Sequence, residues 1–207
     1  MKKLCIAALT LLLCAAHIYA SVEIDMMTSG NLLYVNFEEP KDNRTYVGTG
    51  MENCFSFFFA PIGSHVDWGL MIDSGVGIGT YGIAAFIGAS PIFRYNIDEK
   101  NAWALAAGVK VEGGTMPLWF ASVPLTFSYK HWFIQGDGFL LGLNSGFCLD
   151  IPFAGSADFS RWEVETLDLR GSYYEHEVYD TYALLSGIGA RFFFGICLNF
   201  GKRACDR

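Results

Sequence analysis

The chain has 207 residues, more than half of them apolar, and carries 21 acidic against 14 basic side chains. An acidic balance with no basic cluster argues against nucleic acid as a partner. Beyond the first twenty residues there is no run of roughly 18 unbroken apolar residues, the length a membrane helix requires, so the apolar residues are dispersed.

Residues 1–20 read as a cleaved secretory signal: Lys2 and Lys3, an apolar stretch from Leu4 to Ala16, and Ile18-Tyr19-Ala20 before Ser21. The apolar stretch is too short to span a bilayer as a helix. The remainder divides into one domain over 21–200 and a short tail over 201–207.

Eight strands follow, each recognised by period-two alternation. The first lies within Val22 to Phe37, and a switch of apolar parity around Ser29-Gly30 predicts a bulge there. The second runs from Met51 to Pro61, with Asn53, Phe55, Phe57 and Phe59 on one face and Glu52, Cys54, Ser56 and Phe58 on the other. The third, Val66 to Ile78, sets Trp68, Leu70 and Ile72 against Asp67, Gly69 and Asp73. The fourth, Ile83 to Ile97, sets Ile87, Phe93 and Tyr95 against Gly88, Ser90 and Arg94. The fifth, Ala102 to Glu112, opposes Trp103, Leu105 and Val109 to Ala104, Gly108 and Lys110. The sixth, Trp119 to Lys130, is the clearest, with Trp119, Ala121, Val123, Leu125, Phe127 and Tyr129 on one face. The seventh spans Gly138 to Ile151 and the eighth Tyr182 to Phe200, with Arg191 on its polar face.

The connections alternate in length. Gly63 to His65, Asp98 to Asn101 and His131 to Asp137 are compact, whereas Glu38 to Gly50 and Pro152 to Thr181 are long. Short turns on one side and long loops on the other are the habit of membrane barrels. The polarity of the faces points the same way. A soluble barrel needs a charged exterior, about 25–35% charged at the surface, and an apolar interior. Here the non-apolar face is mostly Gly, Ala and Ser with single charges, which suits a narrow lumen. The aliphatic and aromatic face then belongs on lipid. The predicted fold is an eight-stranded antiparallel transmembrane up-and-down β-barrel.

Gly195-Ile196-Cys197-Leu198-Asn199-Phe200 matches the spacing of the assembly signal that ends bacterial outer-membrane barrels, carried by Gly195, Leu198 and Phe200. Phe193 and the residues after Phe200 depart from that pattern. With strand count and length, this resembles the small eight-stranded outer-membrane proteins of the OmpA, OmpX and OmpW type. The resemblance implies residence in a bacterial outer membrane, contact with outer-membrane lipid and handling by the barrel-assembly machinery.

Other motifs carry little. Gly77-Ile78-Gly79-Thr80-Tyr81-Gly82 has the spacing of a dinucleotide loop, but an alternating strand follows where a helix is required, so it reads as a hairpin. Cys54, Cys148, Cys197 and Cys205 form no metal-ligand spacing and read as free thiols. Ser172, His176 and Asp180 are close in sequence without implying triad geometry. The expectation is a protein with no cofactor, no metal and no enzymatic activity.

Asp67, Asp73, Arg94, Lys110, Glu112, Lys130 and Arg191 fall on the polar face. They read first as a structural network filling a tight barrel and second as pore-lining groups. A hairpin centred between Thr80 and Tyr81 places Asp67 opposite Arg94. Two roles are expected: envelope structure or passage of small, apolar solutes, and alternatively a barrel that anchors partner-binding loops. The partner-loop candidates are Trp162, Glu163, Glu165, Asp168, Tyr173 and Tyr174, in an aromatic and acidic segment of about thirty residues, longer than a connection needs to be.

Overall fold

The computed structural model describes residues 21–37, 42–62, 65–80, 82–115, 118–165, 174–201 and 203. The expected signal segment, 1–20, lies outside them. The described residues form nine strands: β1 (Ser21–Phe37), β2 (Asp42–Ile62), β3 (Val66–Gly79), β4 (Gly82–Asn96), β5 (Asn101–Ala107), β6 (Val109–Gly114), β7 (Leu118–Gly136), β8 (Phe139–Glu165) and β9 (Tyr174–Phe200). Strands adjacent in the chain pair antiparallel except β5 and β6, and β1 pairs with β9, so the sheet closes on itself. β5 and β6 succeed each other along one position of the ring, both between β4 and β7. The fold is therefore an up-and-down barrel with eight positions, its ring closed without an open edge among the described residues.

The predicted fifth strand divides at Gly108 because Pro91 on β4 and Pro124 on β7, which carry no N–H, stand beside the gap. Gly108 donates instead to the carbonyl of Pro124 at 3.3 Å. The predicted bulge at Ser29-Gly30 is absent: β1 keeps one register against β2 from Ser21↔Phe58 to Phe37↔Asp42. Its inward face changes chemistry instead, from Glu23 and Asp25 to Leu33, Val35 and Phe37, and that change imitates a parity switch.

Three expected loops are largely strand. Asp42 to Gly50 pairs with β1, His131 to Gly136 continues β7, and residues 152–165 and 174–181 extend β8 and β9. Strand–strand hydrogen bonding supplies the backbone partners that those segments would otherwise need from water. β7 turns into β8 through Asp137-Gly138, where Gly138 takes a φ of 75° that other residues adopt only with strain. The GxGxxG segment is a hairpin, with Gly79 opposite Gly82.

The strand ends Ile62 and Val66, Asn96 and Asn101, and Gly136 and Phe139 lie at one end of the barrel, the lower end, with Ser21 and Phe200. The exterior is apolar: Met26, Leu70, Ile72, Ile87, Leu105 and Leu125 are among many large exposed side chains. Trp68, Tyr95, Trp103 and Tyr129 are exposed toward the lower end, and Trp119 and Phe153 toward the upper. Aliphatic residues between two aromatic bands are how a barrel meets a bilayer and its two interfaces. The interior is the reverse. Glu23, Asp25, Glu52, Asp67, Asp73, Arg94, Lys110, Lys130, Asp150 and Arg191 are all buried within it.

Candidate functional site in the barrel lumen

Alternation alone sends these charges inward, because each occupies the parity opposite to the exposed aliphatics of its strand. They gather in two tiers. In the lower tier Arg94, fully buried, is the hub. Its Nε and Nη2 donate to Asp67 Oδ2 at 3.1 and 2.9 Å, and its Nη1 donates to Glu23 Oε2 and Asn199 Oδ1, both at 2.9 Å. Nη2 also reaches Ser21 Oγ at 3.0 Å, and the guanidinium carbon lies 4.0 Å from the centre of the Phe58 ring. Lys130 bridges Glu23 and Asp25, meeting Asp25 Oδ2 at 2.8 Å. A planar fork saturated by four residues and stacked on an aromatic face is the arrangement that arginine fits and lysine does not.

The middle tier is looser. Lys110 donates to Asp150 Oδ2 at 2.8 Å and Glu112 Oε2 at 3.1 Å. Arg191 faces Glu52 at 3.3 Å and Asp73 at 3.9 Å, with its guanidinium carbon 4.6 Å from the Phe86 ring centre. Above it a cavity of about 80 Å³ opens toward the upper end, bounded by Ser29, Leu33, Tyr46, Gly48, Ile78 and Phe86 among others. Val35, Phe37, Phe120 and Ala157 form an apolar cluster in the same upper half.

The lower mouth is closed. Trp132 is fully buried there against Leu140 and Cys197. Gly142 makes room for the indole, since a Cβ at that position would stand 2.9 Å from its ring. Arg203 folds beneath it, 1% exposed, donating to the Glu99 carbonyl at 2.7 Å with its guanidinium carbon 5.9 Å from the Trp132 ring centre. The segment read as a tail after Phe200 thus contributes a side chain to the seal.

All seven ionisable residues expected on the polar face, Asp67, Asp73, Arg94, Lys110, Glu112, Lys130 and Arg191, lie inside the barrel, and Glu112 is the least enclosed of them. Asp67 stands directly across from Arg94. Sequence reasoning did not single out Glu23, Asp25, Glu52 and Asp150, the acids that complete the ion pairs. Glu52 and Asp150 carried the same parity signal, while Glu23 and Asp25 were obscured by the unclear parity of the first strand.

Of the partner-loop candidates, Trp162, Glu163 and Glu165 belong to β8 and Tyr174 starts β9, while Asp168 and Tyr173 lie outside the described residues. Beyond Ala157 and Ala183 the two strands pair only with each other, so a hairpin rises above the ring. Ser172 is outside the described residues. His176 and Asp180 are four residues apart on β9, about 13 Å along a strand, which is too far for a base and its orienter. Gly195, Leu198 and Phe200 close β9, where Phe200 is opposite both Val22 and Phe139.

No family model and no curated relative matches the sequence. Among solved structures the chain is similar to the outer membrane protein OprG from Pseudomonas aeruginosa, at 8% identity and a TM-score of 0.47, over 89% of this chain and 97% of that one. It is also similar to the outer membrane protease OmpT from Escherichia coli, at 8% identity and a TM-score of 0.41, over 89% and 97%. The translocator domain of the autotransporter NalP from Neisseria meningitidis is similar at 10% identity and a TM-score of 0.31, over 88% of each chain. The expectation of a chain without enzymatic activity is withdrawn on this finding. The similar structure from Escherichia coli is an outer membrane protease.

Proposed function

We propose that this chain is an integral barrel of a bacterial outer membrane that passes small apolar solutes taken in at its upper, outward end. The inside-out polarity of the wall carries the membrane assignment: aliphatic outside, ion-paired inside. Such an exterior in water would be an apolar patch far beyond the few hundred Å² that soluble monomers tolerate.

The route follows from where the lumen is open and where it is sealed. The upper cavity is lined mainly by Gly, aliphatic and aromatic residues, whereas the lower mouth is stopped by Trp132, Arg203 and the Arg94 tier. An apolar groove of about 420 Å³ lies on the outer surface where β5 gives way to β6, floored by Pro91, Leu105, Ala107 and Leu125, and it shares Ala106 and Thr126 with a separate cavity of about 20 Å³ in the middle of the lumen. The exit this reading requires is sideways there, into lipid.

The test is uptake of a small apolar dye into liposomes carrying the refolded barrel, set beside ion conductance of the same preparation. This reading requires dye uptake above protein-free liposomes with little conductance. Bulky substitution at Ala106 should slow uptake without unfolding the barrel. Absence of uptake would leave the second reading, which the β8–β9 hairpin favours: a barrel that anchors a projecting surface element for a partner.

A further inference from the structure

The wall of the barrel is interrupted where β8 runs beside β9. The two strands pair from Phe139↔Phe200 to Asp150↔Gly189 and resume at Ser156↔Ala183 in the same register. Between those points, residues 151–155 and 184–188 face each other without a ladder pair, although each segment stays paired on its other side, to β7 or to β1. Both strands bulge there. On β8, Phe153 is an extra residue between Pro152↔Ser122 and Ala154↔Ala121, and on β9, Leu185 is an extra residue between Leu184↔Phe37 and Ser186↔Asn36. A bulge bends the strand that carries it, and two at one height draw β8 and β9 apart.

Pro152, which is buried, stands opposite Gly187 in the register of the flanking pairs, and it carries no N–H for a ladder. A Cβ on Gly187 would lie 3.2 Å from Pro152 Cγ, so the proline ring rests against the backbone of β9. Inside, a cavity of about 40 Å³ is bounded by Pro152 of β8 and Gly189 of β9, with Leu33, Phe86, Phe120 and the Lys110–Asp150 pair around it. It shares Leu33 and Phe86 with the upper cavity. Outside, Phe153 of the upper aromatic band is exposed beside Ile151, Leu185 and Ile188. Backbone facing lipid must be hydrogen-bonded, and an unpaired stretch at membrane depth is tolerated where it lines an opening or a cavity.

We propose that the β8–β9 seam is a lateral port that admits small apolar molecules from the outer half of the bilayer into the upper lumen. Ile151, Phe153, Leu185 and Ile188 give such a molecule apolar surface on the lips, and Leu33, Phe86 and Phe120 give it apolar surface within. The lips can part without breaking the ladders to β7 and β1. The port rests on the membrane assignment above, not on net passage of solutes through the barrel.

The experiment dissolves a small apolar diazirine in the lipid of vesicles carrying the refolded barrel, photolyses it and maps the adducts by mass spectrometry. Adducts are expected on the inward residues beside the seam, Leu33, Phe120 and Pro152. None is expected on Met27 and Met71, which face inward behind continuous ladders. Exposed Leu70 and Ile72 should be labelled throughout; a chain without adducts there is not in lipid, and the membrane assignment and the port then fall together. A second chain carries Ile151→Cys and Ile188→Cys, with its own cysteines replaced by alanine and its folding verified by heat-dependent mobility in gels. A short thiol-cleavable cross-linker across the seam should abolish the inward adducts, and a reductant should restore them. Seam residues that stay unlabelled beside labelled Leu70 and Ile72 overturn the port. So does inward labelling that survives the cross-link, because the reagent then enters from the upper end or near Ala106.

Discussion

Asp67 and Arg94 stand directly opposite each other on β3 and β4, joined by two hydrogen bonds of 2.9 and 3.1 Å inside the lumen. The pair sits in low dielectric, where stranding one charge costs more than losing the interaction. Arg94→Met should destabilise the folded barrel by about 3–5 kcal/mol. Adding Asp67→Leu should recover part of that loss, since one of the stranded carboxylates is then gone. Urea unfolding in detergent measures both, and a double variant no more stable than Arg94→Met would refute the coupling.

The turn from β4 to β5 gives a pH dependence outside the wall. Asp98 is exposed, and its carboxylate accepts from the Asn101 side chain at 2.8 and 2.9 Å and from the backbone N–H groups of Lys100 and Asn101 at 2.7 Å each. These bonds, the Asn101 side chain first, hold its pKa below the ordinary value. A depressed folded pKa means stability present above the unfolded value, about 3.9, and lost as pH falls through the folded one. The stability difference between wild type and Asp98→Ala should be flat at neutral pH and shrink below about pH 4. A difference that grows on acidification would contradict this.

Closure of the lower mouth rests on Arg203 and Trp132. Arg203→Ala removes a cation lying over the ring and its bond to the Glu99 carbonyl, and Trp132→Ala removes the ring itself. Ion conductance of single barrels in a planar bilayer should rise in the first variant and further in the second. Equal conductance in all three proteins would mean that the Arg94 tier alone seals the lumen.

Leu125 and Phe133 are both exposed on β7, Leu125 midway along the strand and Phe133 close to the lower turn. An arginine is expensive in proportion to its depth in hydrocarbon. Leu125→Arg should cost about 2–4 kcal/mol and Phe133→Arg about 0–1 kcal/mol, measured by folding into lipid vesicles. Equal costs would place the bilayer elsewhere on the wall.

The alternation that made the strands legible also made the inward charges legible, because parity needs no tertiary information. The hairpin Thr80-Tyr81 fixed the Asp67–Arg94 register for the same reason: a tight turn leaves one way to count outward. The lengths of β2, β7, β8 and β9 were not legible. Asp42 to Gly50 and residues 152–165 mix polar, aromatic and small apolar residues without a clean apolar face, and a neighbouring strand offers each a ladder. The first strand misled where the upper lumen turns apolar at Leu33, Val35 and Phe37. Arg203 could not be read at all, since nothing local marks a residue that folds back under a mouth built from β7, β8 and β9.

In the ring of the barrel, one face of each strand meets lipid and the other the lumen, and tryptophan fluorescence distinguishes the two faces. Trp103 is half exposed on the outer face of β5, while Trp132 is fully buried inside. Two single-tryptophan barrels, each retaining one of these and Phe elsewhere, are folded into vesicles containing brominated lipid. Strong quenching of Trp103 and little of Trp132 is expected. Equal quenching of both, or quenching of Trp103 only by a water-soluble agent, would contradict a membrane-spanning barrel of this orientation.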